Sequence, residues 1–357
     1  MECRKGEGRQ LINEAICEFG GQWSPEKEAN VKVWVARRNG AQSGVVTDRL
    51  IRLLRLGIRQ HPTIIDGGLS AELESIRAAP LPSDLWTGAL VLDDPLSLQQ
   101  AHANFVRAGA RLVTSASYQL NMDNLQTHRG LSRSAACDTL VHSVRLAREA
   151  VPDDVLVACS LGAYGASLSN GAEYTGEYPG MTEDGLYAFH KDRLSAVREA
   201  GADVFVFETI PSGPEVRAIL RLAKESDINC FVSFQCRDET SLGDGTPVST
   251  VARCCHDAQI AGLLAVGTNC VSPSVVFSVL SEVAKACPSI PLLCYPNSGE
   301  VWDAVGRKWL PATSGTSLLS ALPTWSSLGP LFIGGCCRVD AALLARIAAQ
   351  LSTEHKT

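Results

Sequence analysis

Residues 186–211 read LYAFHKDRLSAVREAGADVFVFETIP: a helical pattern over Leu186–Ala200 closed by Gly201, then the apolar run Asp203–Phe207 ending on Glu208-Thr209-Ile210-Pro211. The first part fits a helix with a glycine stop, the second a strand. The strand run barely alternates with polar residues, so it reads as a parallel strand buried on both faces. Seven more such runs are spaced along the chain, at Thr63–Asp66, Arg111–Ser115, Val155–Ser160, Cys230–Gln235, Leu263–Gly267, Pro291–Tyr295 and Leu331–Gly334. Helical patterns separate them, among them Leu96–Ala108 before Gly109, Ser134–Ala150 before Pro152, and Ala341–Leu351. Eight strand–helix units predict the α/β class and a (β/α)8, or TIM, barrel; an open doubly wound sheet is the competing arrangement. No run leads into G-x-G-x-x-G or G-x-x-x-x-G-K-[ST], so a nucleotide-binding reading lacks its phosphate cradle.

The 357 residues are 45% hydrophobic and 20% charged, a balance that excludes a disordered or collagen-like chain. A formal charge of −6 gives no reason to expect nucleic acid or an anionic membrane as partner. No apolar run approaches the roughly 18–20 residues of a membrane helix, and Met1-Glu2-Cys3-Arg4-Lys5 leads into no signal-peptide core. The expectation is a cytoplasmic protein. Thirteen cysteines in a long chain rich in core-forming residues point to a reducing compartment rather than a disulfide scaffold.

Residues 1–60 hold 11 Lys or Arg against 7 Asp or Glu, so this stretch is +4 and the remainder −10. Six Glu before residue 30 argue against a mitochondrial presequence. With little apolar periodicity before Thr47, residues 1–46 are expected to form a poorly ordered extension and residues 47–357 a single barrel domain. Its leading helix would start at Thr47-Asp48, with Leu50, Ile51, Leu54 and Ile58 on one face.

A barrel of this kind gathers its chemistry where the strands end. Three cysteines fall there, Cys270 after the sixth run and Cys336 and Cys337 after the eighth. Adjacent strand side chains point to opposite faces, so Cys336 and Cys337 converge only if the chain leaves the strand, and Gly334-Gly335 permits that bend. Three thiolates with one vacant position is the ligand count of a catalytic zinc site. Zinc so ligated is a weak Lewis acid but suits a fourth sulfur, held as thiolate at neutral pH; the chemistry implied is sulfur alkylation. The remaining thiols read as packing. Cys254-Cys255-His256 lies in a helical pattern (Val248–Ile260) that splays neighbours apart, and Cys159, Cys230, Cys236 and Cys294 lie in or beside strands.

Gly334-Gly335-Cys336-Cys337-Arg338 with Gly267-Thr268-Asn269-Cys270 resembles the zinc signature of the homocysteine S-methyltransferase family. The similarity runs from Thr63 to Asp340 through Asp66-Gly67-Gly68, Ser117-Tyr118-Gln119, Glu208-Thr209-Ile210-Pro211 and Pro296-Asn297-Ser298-Gly299-Glu300, and leaves the first 60 residues without a counterpart. Gly162-Ala163-Tyr164-Gly165-Ala166, followed by Glu173-Tyr174-Thr175-Gly176-Glu177-Tyr178, is similar to the branch that uses S-methylmethionine, more than to the betaine-using branch or the cobalamin-dependent methionine synthases.

The resemblance implies that Cys270, Cys336 and Cys337 bind Zn2+, that no catalytic residue stands apart from that centre, and that homocysteine enters through its sulfur. Asp66 and Glu208 match positions that meet the substrate amino acids. Their own chemistry agrees, since carboxylates at a barrel mouth suit an ammonium and a sulfonium. The plainer alternative is that Asp66 ties down its Gly-Gly turn and Glu208 pairs with Arg338. Ser117, Tyr118, Gln119, Tyr164, Asn297 and Ser298 complete the candidate substrate contacts. Tyr118, Tyr164 and Trp302 would act on a sulfonium by cation–π attraction of about 0.5–2 kcal/mol, and Asn297 and Ser298 on a substrate carboxylate, although Pro-Asn-Ser-Gly is also a plain turn.

The implied activity is methyl transfer from S-methylmethionine to homocysteine, with S-adenosylmethionine as a second donor bearing the same sulfonium. The partners are these small molecules, with no nucleic acid or membrane. The alternatives left open are selenocysteine or another thiol as acceptor, a zinc hydrolase, and a non-catalytic zinc-binding barrel.

Overall fold

Each of the eight apolar runs becomes a strand of one parallel sheet: Thr63–Ile64, Leu112–Thr114, Leu156–Gly162, Val204–Ile210, Cys230–Phe234, Leu263–Asn269, Leu292–Tyr295 and Phe332–Ile333. The coordinates are a computed structural model that describes residues 14–16, 18–20, 24–39, 44–56, 62–77, 79–82, 84–303, 308–310 and 317–354. Neighbours pair in sequence from the second strand to the seventh, and the eighth bridges the seventh to the first. The first and second strands then meet through an Ile65–Leu112 bridge, with Asp66 N–H donating to Leu112 O at 2.9 Å and Arg111 N–H to Ile64 O at 2.8 Å. That contact joins the two outer strands into a barrel and rules out the open sheet. A short antiparallel hairpin, Val301–Asp303 with Lys308–Leu310, follows the seventh strand.

The helices fall between the strands, and their ends follow local chemistry. The pattern at Leu186–Ala200 forms Glu183–Val197, where Thr182 accepts from Gly185 N–H at the N-terminus and Gly201 (φ +94°) turns the chain beyond the C-terminus. Pro95–Arg107, Arg133–Glu149, Gly213–Ser226 and Pro273–Ala286 likewise start on Asp94, Ser132, Ser212 and Ser272. Among the described residues no helix is long and apolar enough to cross a membrane.

Strand periodicity divides the buried residues into two layers. Val113, Val157, Phe205, Phe207, Val232 and Val266 face the helices, whereas Leu112, Ala158, Val204, Val206, Phe231 and Phe332 belong to a separate cluster. That second cluster continues into the N-terminal segments. Val31, Trp34 and Val35 of helix Pro25–Asn39 and Leu50, Ile51, Leu53 and Leu54 of helix Gly44–Arg55 all pack there, with Ala15 and Ile16. Arg49, 2% exposed, donates to Ser289 O at 2.9 Å and Ile260 O at 3.2 Å, and Arg52 to Asn229 Oδ1 at 3.2 Å. Those acceptors precede the seventh, sixth and fifth strands, so the N-terminal helices cover the end of the barrel where strands begin.

The structure thus differs from loose order over 1–46 at Pro25–Asn39, and the leading helix starts at Gly44 rather than Thr47. The stripe responsible, Val31-Trp34-Val35 at i, i+3, i+4, is narrow and set among charges, too short to stand out as periodicity. Residues 1–13, with Cys3, and Cys17 lie outside the described residues.

Candidate active site

The sixth strand ends at Asn269, and Cys270 follows in the left-handed region, φ +54°. Few residues other than glycine stay there unless their surroundings enforce it. Cys270 N–H donates to Tyr295 O at 3.3 Å. Beside it the fully buried Asn269 accepts from Thr209 N–H at 2.8 Å through Oδ1 and donates to Thr209 Oγ1 at 2.8 Å through Nδ2. Thr209 is itself left-handed, φ +59°, at a register shift between Phe207 and Ile210. Such an irregularity re-aims a side chain; here the side chain is Glu208, at the pocket wall.

Beyond Ile333 the chain is held at every residue. Gly334 N–H donates to Cys294 O at 3.0 Å, Gly335 N–H to Asp66 O at 3.1 Å, and Cys336 N–H to Pro296 O at 2.8 Å. Cys337 N–H donates to Asn297 Oδ1 at 3.1 Å. The bend expected of the double glycine forms, but the glycines serve close approach. A Cβ on Gly335 would stand 2.2 Å from Val339 Cγ1, and one on Gly334 2.7 Å from Asp66 O. The left-handed turn is taken instead by Arg338, φ +64°.

This turn folds the vicinal pair onto Cys270. The three Sγ atoms lie within 4.8 Å of one another, with Cys270 and Cys337 at 3.6 Å. The thiols of Cys336 and Cys337 hydrogen-bond to Cys270 and hold it well below the usual thiol range, and the same sharing pushes both of theirs well above it. The cluster by itself therefore favours one thiolate among three sulfurs; ionising all three calls for a bound cation. The donor set fits a thiophilic divalent ion such as zinc. No other group of three metal-ligating side chains converges among the described residues. Cys254 and Cys255 lie in helix Val248–Asp257, and Cys159, Cys230, Cys236 and Cys294 are buried with their thiols pushed up by burial.

A pocket opens over the cluster, lined by Asp66, Tyr118 and Glu208, by Glu173 and Tyr174 of a quoted motif to which no contact was assigned, and by Trp86, Thr87, Thr114, Ser160 and Tyr295, which were not among the candidate contacts. Asp66 is 2% exposed and accepts from Thr114 N–H at 2.7 Å and Thr114 Oγ1 at 3.0 Å. It therefore ties the first strand to the second. Burial, aided by the nearby charge of Glu208, pushes Asp66 up to about 8. Glu208, pushed up to about 7 by burial, accepts from the Ser160 hydroxyl. It does not pair with Arg338, whose guanidinium reaches Glu300 at 2.8 Å and Glu74 at 3.4 Å.

The raised carboxyl of Asp66 has a consequence for stability. Its contribution is complete below about pH 4, where both folded and unfolded forms are protonated, and is lost as pH rises to about 8. Asp66→Asn, which stays neutral, is expected to gain in unfolding midpoint over the metal-free wild type from pH 5 to pH 8 and to hold that margin above it. A margin independent of pH, read by thermal unfolding, would refute a buried neutral Asp66.

The other candidates divide. Ser117 is fully buried with its hydroxyl on Ser160 O at 2.7 Å and Ser115 Oγ at 2.7 Å, away from the pocket lining. Gln119 is also outside the lining, its carbonyl held by Asn124. Tyr164 stacks edge-on against Tyr178 and Phe189, both at 5.2 Å, behind the pocket wall. Asn297 positions Cys337, and Ser298 lines a separate open depression with Glu300 and Arg338. Trp302 pairs with Trp309 in the hairpin, its side chain outside the described residues. A strand-end motif names neighbours without saying which of them turns inward.

Two buried charged residues support the wall from outside. Arg193, 1% exposed, donates to Gly162 O at 2.7 Å, Tyr118 O at 3.0 Å and Ser117 O at 3.1 Å. Glu215, fully buried, accepts from Tyr164 N–H at 2.6 Å, Tyr178 OH at 2.8 Å and His190 Nε2 at 2.8 Å. No motif flagged them; the one signal in the chain was a charged residue on the core-facing side of an amphipathic helix.

Residues 63–351 match the family profile described as Homocysteine S-methyltransferase. A Bacillus subtilis protein named Homocysteine S-methyltransferase YbgG is 35% identical over 300 residues, 80% of this chain and 93% of its own. The Escherichia coli Homocysteine S-methyltransferase is 34% identical over 306 residues, 82% of this chain and 96% of its own. Among solved structures, the metallated form of the homocysteine methyltransferase MmuM from Escherichia coli superposes with a TM-score of 0.73 at 31% identity, covering 84% of this chain and 99% of that one.

Proposed function

Because the chain belongs to the homocysteine S-methyltransferase family, and so is a methyltransferase, we propose that it transfers the methyl group of S-methylmethionine to homocysteine at a zinc ion held by Cys270, Cys336 and Cys337. The observation that carries this reading is the convergence of three thiols within 4.8 Å beneath a pocket lined, among the described residues, by carboxylates and by no Lys, Arg or His. Bound there, zinc would keep the acceptor sulfur ionised at neutral pH, where a free thiol of pKa about 8.5 is mostly protonated.

The chain's own residues do the rest. Asp66 and Glu208, fixed by Thr114 and Ser160, offer oxygens to the ammonium groups of two amino-acid substrates. Tyr118, Tyr174 and Trp86 wall the pocket and limit water. The acceptor sulfur forms its bond to the methyl carbon as the donor's S–CH3 bond breaks, and that electron pair neutralises the departing sulfonium. Both products are methionine. The leaving thioether needs no proton, which suits a pocket lined by no histidine among the described residues; the buried His190 is committed to Glu215. We place the enzyme in a reducing compartment, the cytoplasm, in keeping with the free cysteines among the described residues.

The test is a metal analysis and a donor comparison on one preparation. About one zinc per chain is expected, with methionine formed from homocysteine and S-methylmethionine, less from S-adenosylmethionine, and none from betaine. Zinc-loaded protein that makes no methionine from either sulfonium would sink the reading.

A further inference from the structure

Of the three carboxylates in the pocket wall, two have fixed partners. Asp66 accepts from Thr114 N–H and Oγ1, and Glu208 from the Ser160 hydroxyl. The third, Glu173, comes from a different place. It sits in the short helix Ala172–Thr175, part of the excursion between the third strand and helix Glu183–Val197. Its neighbour Tyr174 puts its hydroxyl 3.5 Å from Cys270 Sγ, so this helix, which belongs to no strand end, stands against the thiol cluster and shares the pocket wall with Asp66 and Glu208. Glu173 Oε2 is buried in the wall and has no hydrogen-bond partner among the described residues.

A buried carboxylate oxygen without a donor is costly unless a ligand compensates it. A ligand can compensate it with a hydrogen-bond donor or with positive charge alone. An ammonium is satisfied by oxygens it can donate to in several directions, as Asp66 and Glu208 offer. A sulfonium has no N–H or O–H to donate and asks only for negative charge and polarisable surface nearby. Glu173 supplies the first, and Tyr118 and Tyr174 in the same wall the second.

The reaction gives this difference a use. Donor and spent product share the same ammonium and carboxylate, and differ in that sulfur is positive before transfer and neutral after it. Resting on the methyl transfer proposed above, we infer that Glu173 is a specificity-determining residue: it is the counter-charge to the donor sulfonium and selects S-methylmethionine over methionine. Glu173 thereby favours loading of the donor and release of the product.

The experiment compares the KM for S-methylmethionine with the Ki of methionine acting competitively against it, in zinc-loaded wild type and in Glu173→Gln. The wild-type ratio Ki/KM is expected to exceed one and to fall at least about tenfold in Glu173→Gln, through a rise in KM at nearly unchanged kcat and zinc content. Glu173→Asp, which keeps the charge, is expected to retain most of the wild-type ratio. An unchanged ratio in Glu173→Gln overturns the inference, as does a parallel loss of donor and product affinity, or a loss of kcat at unchanged KM. Equal loss in Glu173→Asp and Glu173→Gln also overturns it. Absence of turnover in the wild type is a separate outcome, and that one overturns the methyl-transfer reading itself.

Discussion

Cys336→Ser is expected to release zinc and to lower turnover with S-methylmethionine at least about a hundredfold. Loss of an outer-shell partner alone typically costs 10–100-fold in metal affinity or activity, so loss of a direct ligand should exceed about that. A serine hydroxyl at this position stays protonated where a cysteine can ionise, and two thiols remain where three lie within 4.8 Å. Cys254→Ser changes a thiol in helix Val248–Asp257 and is the matched control, expected to leave both metal and turnover unaltered. Metal analysis by mass spectrometry with a methionine assay reads both. A Cys336→Ser protein that keeps stoichiometric zinc would show the ligand set to be wrong, and equal loss in Cys254→Ser would show the effect to be general.

Arg193→Ala is expected to be the most damaging change away from the cysteines. The guanidinium is the donor to three carbonyls, those of Gly162, Ser117 and Tyr118, and it is 1% exposed. Removing it leaves acceptors that water cannot readily reach, each costing about 1–3 kcal/mol, besides a cavity the length of the side chain. We expect a loss of about 3 kcal/mol or more, seen as an unfolding midpoint several degrees lower. Because Tyr118 lines the pocket on one of the clamped residues, kcat/KM should fall at least about tenfold even at temperatures where the variant is folded, since small misplacements are expensive in a positioned reaction. A variant with the wild-type midpoint and wild-type kcat/KM would remove Arg193 from any role in shaping the wall.

The cysteines and Arg193 mark the two ends of what the chain's sequence makes legible. The eight strands were legible because parallel strands buried on both faces lose alternation, and a run such as Asp203–Phe207 is too short for a helix and too apolar for a loop. The thiol cluster was legible only through that inference, since Cys270 and Cys336 are far apart in sequence and meet because the sixth, seventh and eighth strands are adjacent. Sequence alone was less informative about direction. Ser117, Tyr118 and Gln119 are consecutive, yet of the three only Tyr118 reaches the pocket, because the local turn decides which side chain points inward. Glu173 and Tyr174 stood in a quoted motif without a role, since an excursion after a strand can lie anywhere over the barrel. Arg193 was silent, and Asn269 stood in a quoted motif without a role, because their work is to satisfy polar groups of distant residues, and those partners exist only once the chain has folded.

The covered lower end of the barrel has a consequence in time. Ile16, Trp34 and Leu54 share one apolar cluster with Leu331 and Phe332, and Thr63 pairs with Phe332. During synthesis helix Gly44–Arg55 is made before the last strand, and the apolar cluster it belongs to stays incomplete while the 275 residues between Arg55 and Leu331 are made. The vicinal cysteines come later still, just beyond that strand. A ribosome that stops before residue 331 therefore releases a chain that can neither close the barrel nor complete the thiol cluster. Nascent or truncated forms should accordingly be captured by chaperones rather than accumulate as partly active enzyme.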